Sequence, residues 1–277
     1  MNQTLFDFLK RTAVNKVEKS RKNYYYNRYS KYNPNYNHEF SFSEAVNAYS
    51  DRNELYSYMH HYFHHRCPEI LRDHRQYFRQ ENRGFGEDAF HAMWWLLLSE
   101  YKPIKMLEIG VYRGQVITLW SLICKLLNQS CEVHGVSPFD AIGDTVCSYP
   151  QHIDYITDVL TSFKYWDLET PILVKALSTD RTAIEHIQSI SWDLILIDGN
   201  HDFEVVLTDY CLCRDSLKNG GILVLDDASL GTSFRPPIFS SAGFVGPSEV
   251  AMAHAMTEMN FLGAIGHNVV FMKNRKE

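Results

Sequence analysis

The sequence predicts an α/β fold in which a mostly parallel sheet is covered by helices on both faces. Five short segments are apolar throughout, as strands buried on both faces are. Segments with helical spacing alternate with them, which is the order of parallel strands joined by crossover helices. A glycine turn follows the first strand, and polar residues follow the others. The five segments are 105–108, 131–136, 172–177, 192–197 and 222–225.

Composition excludes several classes of protein. The chain of 277 residues has a net charge of -6, which does not favour a general role in binding nucleic acid or another polyanion. No apolar run reaches the roughly 18 residues that span a bilayer, and the N-terminus lacks a signal-peptide core, so we expect no membrane association. The six cysteines have no CxxC spacing, which favours buried thiols in a reducing, cytoplasmic compartment.

Residues 1–80 are predicted to form a tyrosine-rich arm and a helical extension, and residues 81–277 the main domain. Basic side chains alternate with tyrosines in the arm. Such a pattern can bind single-stranded nucleic acid or a sugar. Because the rest of the chain is acidic, packing of the tyrosines on the domain or on another subunit is the favoured interpretation. The basic residues are Lys16, Lys19, Arg21, Lys22, Arg28 and Lys31, and the tyrosines Tyr24, Tyr25, Tyr26, Tyr29, Tyr32 and Tyr36.

Residues 41–80 are predicted to be helical, with a break before Pro68. Four histidines occur here at positions 60, 61, 64 and 65. Pairs at i, i+4 share one helix face and could bind a metal. No carboxylate that would orient such a site is evident from the sequence, so packing or surface roles are favoured.

A loop at 83–87 precedes a buried helix predicted for 88–101. Glu87 and Asp88 stand at its start. They could reach an amine of a bound cofactor, or they could cap the helix. Capping is the favoured interpretation.

The stretch 105–115 is the centre of the predicted fold. An apolar run ends at Glu108, Gly110 and Gly114 follow, and a helix is predicted for 116–127. A strand, a glycine turn and a helix start place a nucleotide-like ligand against backbone N–H groups. Plain α/β packing with two glycines is the alternative.

The rest of the chain continues the alternation. An irregular stretch with Pro138, Asp140, Gly143 and Asp144 separates the second and third strands. Ser178 ends the third strand. The stretch 231–237 leads into a loop that is predicted to form a lid over the substrate. Arg235 could meet an anionic group of the acceptor there, or it could form a surface salt bridge. Further helices are predicted at 180–190, 203–217 and 247–257, a cap at 218–221, and a closing antiparallel hairpin at 261–265 and 269–272.

Three aspartates follow two of the predicted strands. Asp198 follows the fourth strand, and Asp226 and Asp227 follow the fifth. Because strand ends meet at one edge of the sheet, their carboxylates would repel one another. Bound Mg²⁺ or Mn²⁺ would remove this repulsion. The alternative is that one aspartate caps a helix and another faces solvent.

Several motifs together resemble a known family. The segment LEIGVYRG at 107–114 is similar to motif I of class I S-adenosylmethionine-dependent methyltransferases. DGNHDFE at 198–204, LKNGG at 217–221 and the aspartate pair at 226–227 resemble the subgroup of macrocin-type sugar O-methyltransferases and cephalosporin-hydroxylase-like proteins. The resemblance extends from about 87 to 273 and leaves out residues 1–80.

The resemblance implies a Rossmann-like, seven-stranded, mostly parallel sheet with an antiparallel last strand. It also implies Mg²⁺ or Mn²⁺ on Asp198, Asp226 and Asp227, two oxygens of a sugar, glycoside or other polyol on the metal, and His201 or Asp198 as the base. The family is often oligomeric, so a homo-oligomer is a weak expectation. The implied cofactor-binding residues are Glu108, Gly110, Tyr112, Gly114, Ser137, Asp140, Ser178 and Asp198.

The sequence departs from the family at one position. The family usually has an acidic residue at the end of the second strand, where it accepts hydrogen bonds from the ribose hydroxyls. This chain has Ser137, and the nearest acid is Asp140. Either Asp140 substitutes from the loop, or ribose binding is weaker, or the cofactor differs. His201 likewise has two interpretations, a base or a group that orients the metal ligands.

Two other functions remain open at this stage. A nicotinamide oxidoreductase would tolerate Ser137, but the turn lacks a Gly-x-Gly-x-x-Gly pattern. A binding protein of a biosynthetic complex would have a degenerate cofactor pocket and use the tyrosine-rich arm for docking. The favoured hypothesis is a Mg²⁺-assisted, S-adenosylmethionine-dependent O-methyltransferase acting on a small metabolite such as a natural-product sugar.

Overall fold

A single seven-stranded sheet organises the protein. The computed structural model describes residues 3–144 and 149–274, and in its first helix the side chains from residue 16 onward. Cys147, one of the six cysteines, lies outside the described residues. The strands are β1 (Lys105–Ile109), β2 (Glu132–Ser137), β3 (Ile172–Lys175), β4 (Trp192–Ile197), β5 (Leu217–Leu225), β6 (Asn260–Ile265) and β7 (Asn268–Met272).

The strand order is β3-β2-β1-β4-β5-β7-β6. The first five strands pair in parallel, and β7 runs antiparallel to both β5 and β6. The predicted α/β fold, with seven strands and an antiparallel last strand, is therefore confirmed. The strand order reverses between β1 and β4, where a parallel sheet opens a crevice for ligands.

Helices cover both faces of the sheet and extend beyond it at the N-terminus. The extension contains α1 (Gln3–Tyr29), α2 (Phe42–Ala48), α3 (Arg52–His65) and α4 (Glu69–Arg79). The remaining helices are α5 (Asp88–Tyr101), α6 (Gln115–Leu126), α7 (Tyr155–Tyr165), α8 (Arg181–Ser189), α9 (Phe203–Ser216), α10 (Val245–Val250) and α11 (Met256–Glu258). A π-helical turn (Ala251–Ala255) joins the last two, so that 245–258 is one bent helix.

The core has two parts, one on each face of the sheet. On one face α5 and α6 meet through the indoles of Trp94 and Trp120, whose ring centroids lie 5.0 Å apart. On the other face α9 packs through Tyr210 against Trp192 and its neighbours. The buried residues of α2 and α3 belong to the first part of the core, so the N-terminal extension shares its packing with the domain.

Three elements differ from the prediction. Most of the predicted arm is the helix α1, whose charged and polar sequence lacks an apolar stripe. The helix α7 lies in the stretch predicted to be irregular, and Asp154 caps it by accepting a hydrogen bond from the amide of Thr157 at 3.1 Å. Strand β5 begins at Leu217 rather than at 222, because Leu217 pairs with Trp192 of β4 and the Gly220 amide donates a hydrogen bond to the Lys273 carbonyl at 2.9 Å.

The tyrosines of α1 fall into two groups. Tyr26 and Tyr29 are partly buried, and their rings lie 5.4 Å from the ring of Phe239. Tyr24 and Tyr25 are exposed. The arm therefore packs part of its aromatic surface on its own chain. Within the described residues no helix is long and apolar enough to cross a membrane.

Candidate functional site

Two adjoining cavities open where the parallel strands end. The first cavity has a volume of about 320 Å³ and lies at the ends of β1, β2 and β3. The second has a volume of about 340 Å³ and lies between the ends of β1, β4 and β5 and the N-terminal helices. Their shared wall includes Gly110, Tyr112, Tyr149, Asp198 and Gly199. A molecule bound in one cavity would therefore face a molecule bound in the other.

The two glycines of the central turn have separate structural roles. Gly110 has a φ of +99°, and a Cβ there would lie 1.9 Å from the backbone oxygen of Asp198. Gly114 has a φ of +82° and precedes α6, and its Cβ would press on Val159 of α7 at 3.1 Å. Gly110 lines both cavities, whereas Gly114, among the described residues, lines neither. Gly114 therefore supports the conformation of the turn and its packing on α7.

The first cavity brings together the residues predicted at the ends of the second and third strands. Ser137, Asp140 and Ser178 all line it, with Tyr112 beside them. Asp140 is exposed, and one of its carboxylate oxygens accepts a hydrogen bond from the amide of Ala141 at 2.7 Å. Its other oxygen has no hydrogen-bond partner among the described residues. The loop acid is thus close enough to serve the same cavity as the serine that replaces the strand-end acid.

Ser178 depends on a residue that sequence reasoning missed. Its hydroxyl donates a hydrogen bond to Oδ2 of Asp209, at 3.0 Å. Asp209 is buried on α9, and burial raises its pKa to about 7. The signal was available, because an aspartate stands on the apolar face of α9 beside Val206 and Tyr210. Because the Ser178 hydroxyl donates its hydrogen bond to Asp209, its oxygen can accept a hydrogen bond from a molecule in the cavity.

Five carboxyl side chains line the second cavity: Glu87, Glu108, Asp198, Asp226 and Asp227. Burial, together with the charge of Asp226, raises the pKa of Asp198 well above its ordinary value. Burial also raises the pKa of Glu108 to about 8, and its Oε2 has no hydrogen-bond partner. Such crowding leaves carboxyl groups protonated unless a cation offsets the repulsion. The cavity is thus suited to a positively charged group.

His267 is the second residue that the sequence analysis did not assign to the site. Its Nδ1 lies 2.7 Å from Oδ1 of Asp226 and 3.2 Å from Oδ1 of Asp227. The β6–β7 turn carries it there, because Val269 pairs with Leu225 next to the aspartates. Burial opposes protonation of the imidazole, but the two aspartates outweigh it and raise its pKa.

Asp226, Asp227 and His267 form a possible cation-binding group. Each can offer one ligand atom, and these atoms lie within 4.8 Å of one another. The predicted metal set was Asp198, Asp226 and Asp227. Asp198 instead shares a hydrogen bond with Asp226 and lines both cavities. The donor set of two carboxylates and an imidazole fits a divalent cation such as Mn²⁺, and more weakly Mg²⁺.

His201 lies between two carboxylates. Its Nδ1 is 3.0 Å from Oδ1 of Asp144 and its Nε2 is 3.1 Å from Oδ2 of Asp227. Its ring contacts the ring of Phe244 in a tilted arrangement, with centroids 4.2 Å apart. Burial lowers the pKa of His201, yet the two carboxylates outweigh this and raise it. Both ring nitrogens are engaged, which favours the orienting role over that of a base.

The loop before α5 also reaches the second cavity, and a tyrosine of the N-terminal extension holds it there. Glu87 lines it, accepts a hydrogen bond from the hydroxyl of Tyr56 at 2.5 Å and lies 3.5 Å from Nε2 of His267. Glu87 makes no side-chain cap on α5. Residues before the matched motifs thus hold the site together.

Asp88, in contrast, belongs to a separate buried network. It supplies the carboxylate that the sequence did not reveal beside His60 and His64, with Nε2 of His64 at 2.9 Å. Arg75 also binds Asp88, at 3.1 Å, and Arg79 donates to the Tyr26 hydroxyl at 3.2 Å. Arg75 already offsets the charge of Asp88, so the cluster has no net negative charge to hold a cation. The Tyr26 hydroxyl also donates to Asp88, which anchors α1 on α3 and α5.

Comparison with known proteins identifies the central segment. Residues 107–228 match a family model described as a methyltransferase domain. No curated protein matches the sequence. The matched segment contains the central glycine turn and the aspartate pair, so the match supports methyltransferase activity. The match favours this assignment over a nicotinamide oxidoreductase or a non-catalytic binding protein.

Solved structures share the fold at low sequence identity. The methyltransferase PaMTH1 of Podospora anserina, solved with S-adenosylhomocysteine bound, is 14% identical, with a TM-score of 0.53 over 76% of this chain and 89% of that one. A proposed caffeoyl-CoA O-methyltransferase from Staphylococcus aureus is 12% identical, with a TM-score of 0.54 over 79% of this chain and 99% of that one.

Proposed function

We propose that the protein transfers the methyl group of S-adenosylmethionine to a hydroxyl of a small polyol-like metabolite, such as a sugar or glycoside, with the aid of a divalent cation. The observation that carries the proposal is the pair of cavities that share Asp198. One is lined by the glycine turn and by polar residues after β2 and β3, and the other is lined by carboxyl groups. The similarity of the fold to PaMTH1, which was solved with S-adenosylhomocysteine, supports the cofactor.

The first cavity would hold the cofactor. Asp140 would accept hydrogen bonds from the ribose in place of a strand-end acid, and the Ser178 oxygen, left as an acceptor by Asp209, would face the adenine amino group. Glu108 lies at the junction with the second cavity, where an ammonium group would lower its raised pKa. These residues bind and orient, since the sulfonium carries its own leaving group.

The second cavity would hold the cation and the acceptor. Asp226 and Asp227 would be ligands, with His267 or Asp198 completing the set. A divalent cation there would lower the pKa of an acceptor hydroxyl and offset the repulsion among the carboxylates. His201 would keep Asp227 in its ligating orientation, because its other nitrogen is fixed by Asp144.

Asp198 is the residue we propose as the base. It lines both cavities, so it lies where the acceptor hydroxyl and the methyl group would meet. The raised pKa of Asp198 suits a group that takes up a proton. His201 is a weaker candidate, since both of its nitrogens already bind carboxylates.

The macrocin-type subgroup and the cytoplasm remain part of the proposal. The DGNHDFE segment at 198–204 contributes Asp198 and His201 to the second cavity, as the subgroup resemblance implies. The five described cysteines are free thiols, which supports a reducing compartment.

Methyl transfer is the direct test of this function. The full chain is incubated with S-adenosylmethionine labelled in its methyl group and a panel of sugars and glycosides, with Mn²⁺ or Mg²⁺ and with EDTA. We expect labelled O-methyl product with the metals, and a loss of at least about 100-fold in EDTA or in the Asp198→Asn variant. Equal product formation with EDTA would overturn the metal role, and the absence of labelled product from every sugar and glycoside would overturn the acceptor class.

A further inference from the structure

A third cavity lies outside the site described above, between α1 and the segment that follows the aspartate pair. Its volume is about 410 Å³, which is within the range of small-molecule sites. The helix contributes side chains at i, i+4, i+7 and i+8, which share one face. The groove, as we name this cavity, is lined by Arg21, Tyr25, Arg28, Tyr29, Pro237, Ile238 and Phe239.

The groove carries positive charge that no carboxylate among the described side chains offsets. Among the described side chains, no carboxylate lies within ion-pair distance of Arg21 or Arg28, and Arg21 contacts only the ring of Tyr25, at 5.8 Å. The described part of α1 has five basic residues and one acid, Glu18, in a chain whose net charge is -6. Guanidinium groups without a protein partner suit an oxyanion, which they bind through two parallel hydrogen bonds.

The groove adjoins the second cavity at one side chain. Phe239 lines both, and its ring contacts Tyr26 and Tyr29 of α1. Ser240 and Ser241, the next two residues, line the second cavity. A ligand of modest length could therefore lie in both spaces around Phe239.

The two spaces have opposite electrostatic character. The second cavity is lined by carboxyl groups, and its two arginines, Arg83 and Arg113, are already paired with Asp158. An anionic substituent on the acceptor would therefore be repelled by the carboxyl groups, whereas hydroxyls would be accepted. Arg21 and Arg28 of the groove have no ion-pair partner among the described side chains. A substrate with hydroxyls at one end and an oxyanion at the other would match both.

We propose that the methyl acceptor is an anionic polyol, with a phosphate or carboxylate group that binds Arg21 and Arg28 in the groove. This inference rests on the proposed function and adds the class of substrate to it. It also gives α1 a role in recognition. Pro237 and Ile238 form the wall of the groove on the side that faces away from α1.

The test compares neutral and anionic ligands that share a hydroxyl pattern. Glucose, glucuronate, glucose 6-phosphate and inorganic phosphate are titrated by calorimetry into the full chain with Mg²⁺, with and without saturating S-adenosylhomocysteine. The test variant is Arg21→Ala/Arg28→Ala. The control is Lys19→Ala/Lys22→Ala, which removes the same charge from the same helix outside the groove. All three proteins are first matched for thermal unfolding.

We expect glucose 6-phosphate or glucuronate to bind at least about tenfold more tightly than glucose, and the arginine variant to lose this ratio while the lysine variant keeps it. Equal affinity for the neutral and anionic sugars would overturn the proposal. So would an anion preference that survives in the arginine variant, which would locate the anion on the metal, or inorganic phosphate binding as tightly as glucose 6-phosphate.

Failure of the proposed function has a separate signature. If S-adenosylhomocysteine does not bind the wild-type protein, the cofactor assignment fails, whatever the sugars do. If it binds both the wild type and the arginine variant equally but no anion preference exists, only the acceptor class fails.

Discussion

The Nε2 atom of His201 lies 3.1 Å from Oδ2 of Asp227, while the opposite nitrogen of the same ring lies 3.0 Å from Asp144. The imidazole thus connects a loop residue, Asp144, to the aspartate pair at the end of β5. It fixes one carboxylate oxygen of Asp227 and leaves the other, Oδ1, facing His267 at 3.2 Å. The geometry explains how the chain could hold a metal ligand in place without using His201 for proton transfer.

A first prediction concerns the connection that His201 makes to Asp227. His201→Gln should weaken Mn²⁺ binding by about 10- to 100-fold, because Asp227 loses its orienting partner. Its residual activity at saturating Mn²⁺ should recover to within about tenfold of wild type, since the base is retained. The measurement is activity against Mn²⁺ concentration. The control is His254→Gln. This histidine lies beside Glu258 in the helix at 245–258. Loss of activity that saturating Mn²⁺ does not restore would assign His201 to the chemistry instead.

A second prediction concerns the aspartate pair. Asp227→Asn should abolish metal dependence and lower activity by at least about 100-fold, because a ligand is removed and the remaining carboxylates lose their counterion. Asp215→Asn, an exposed aspartate paired with Arg214, is the matched control and should behave as wild type. Methyl transfer and Mn²⁺ calorimetry are measured together. An Asp227→Asn protein with full activity would exclude a metal role for this residue.

A third prediction concerns the pH dependence of stability through Asp209. Its pKa is about 7 in the folded protein because of burial, compared with about 3.9 in an unfolded chain. A raised folded pKa contributes stability that is fully present below the unfolded value and is lost as pH rises through about 7. The free energy of unfolding should therefore fall by on the order of 2–4 kcal/mol from pH 4 to pH 8 through this group.

Asp209→Asn should remove that component, since an amide does not titrate. Urea unfolding at pH 4, 6 and 8 in EDTA gives the difference between the variant and wild type, and Asp73→Asn on α4 serves as the exposed control. Parallel pH profiles for wild type and Asp209→Asn would contradict the raised pKa.

A fourth prediction concerns the central turn. Gly110→Ala should lower the free energy of unfolding by more than about 3 kcal/mol or prevent folding, because its Cβ would overlap the Asp198 backbone and its φ is +99°. Gly231→Ala tests the conformational part alone, since φ is +79° but no atom lies within 4 Å of its Cβ. Gly231→Ala should lower the free energy of unfolding by only about 1–2 kcal/mol. Equal losses in the two variants would show that the close approach at Gly110 is relieved by a shift of the chain.

The sequence predicted the sheet well because its strands are apolar throughout. The strand β4 has the predicted bounds, and the helix α5 also matches. The helix α1 was missed because its charged sequence has no apolar periodicity, and it is held by a few specific contacts such as that of Tyr26 with Asp88. The helix α7 was missed because it is short and follows a turn-rich stretch.

The site was predictable where it follows the strands and not where it depends on long-range pairing. Asp198 and Asp226 stand at strand ends, so their convergence follows from the parallel order. His267 reaches the aspartates only through the register of β7 on β5, which no local pattern reveals. Glu87 comes from the loop before α5 and its partner Tyr56 from the N-terminal extension, whose packing on the site has no signature in the sequence.

The most direct test of the account is calorimetric titration of the full chain with S-adenosylhomocysteine, with and without Mg²⁺, for wild type and for Asp140→Asn. The account predicts a dissociation constant of about 1–100 µM for wild type, and an affinity at least about tenfold lower for Asp140→Asn, because the ribose loses its charged acceptor. Binding that is unaffected in Asp140→Asn would place ribose recognition elsewhere in the first cavity. No binding to wild type in either condition would contradict the central claim that S-adenosylmethionine is the methyl donor.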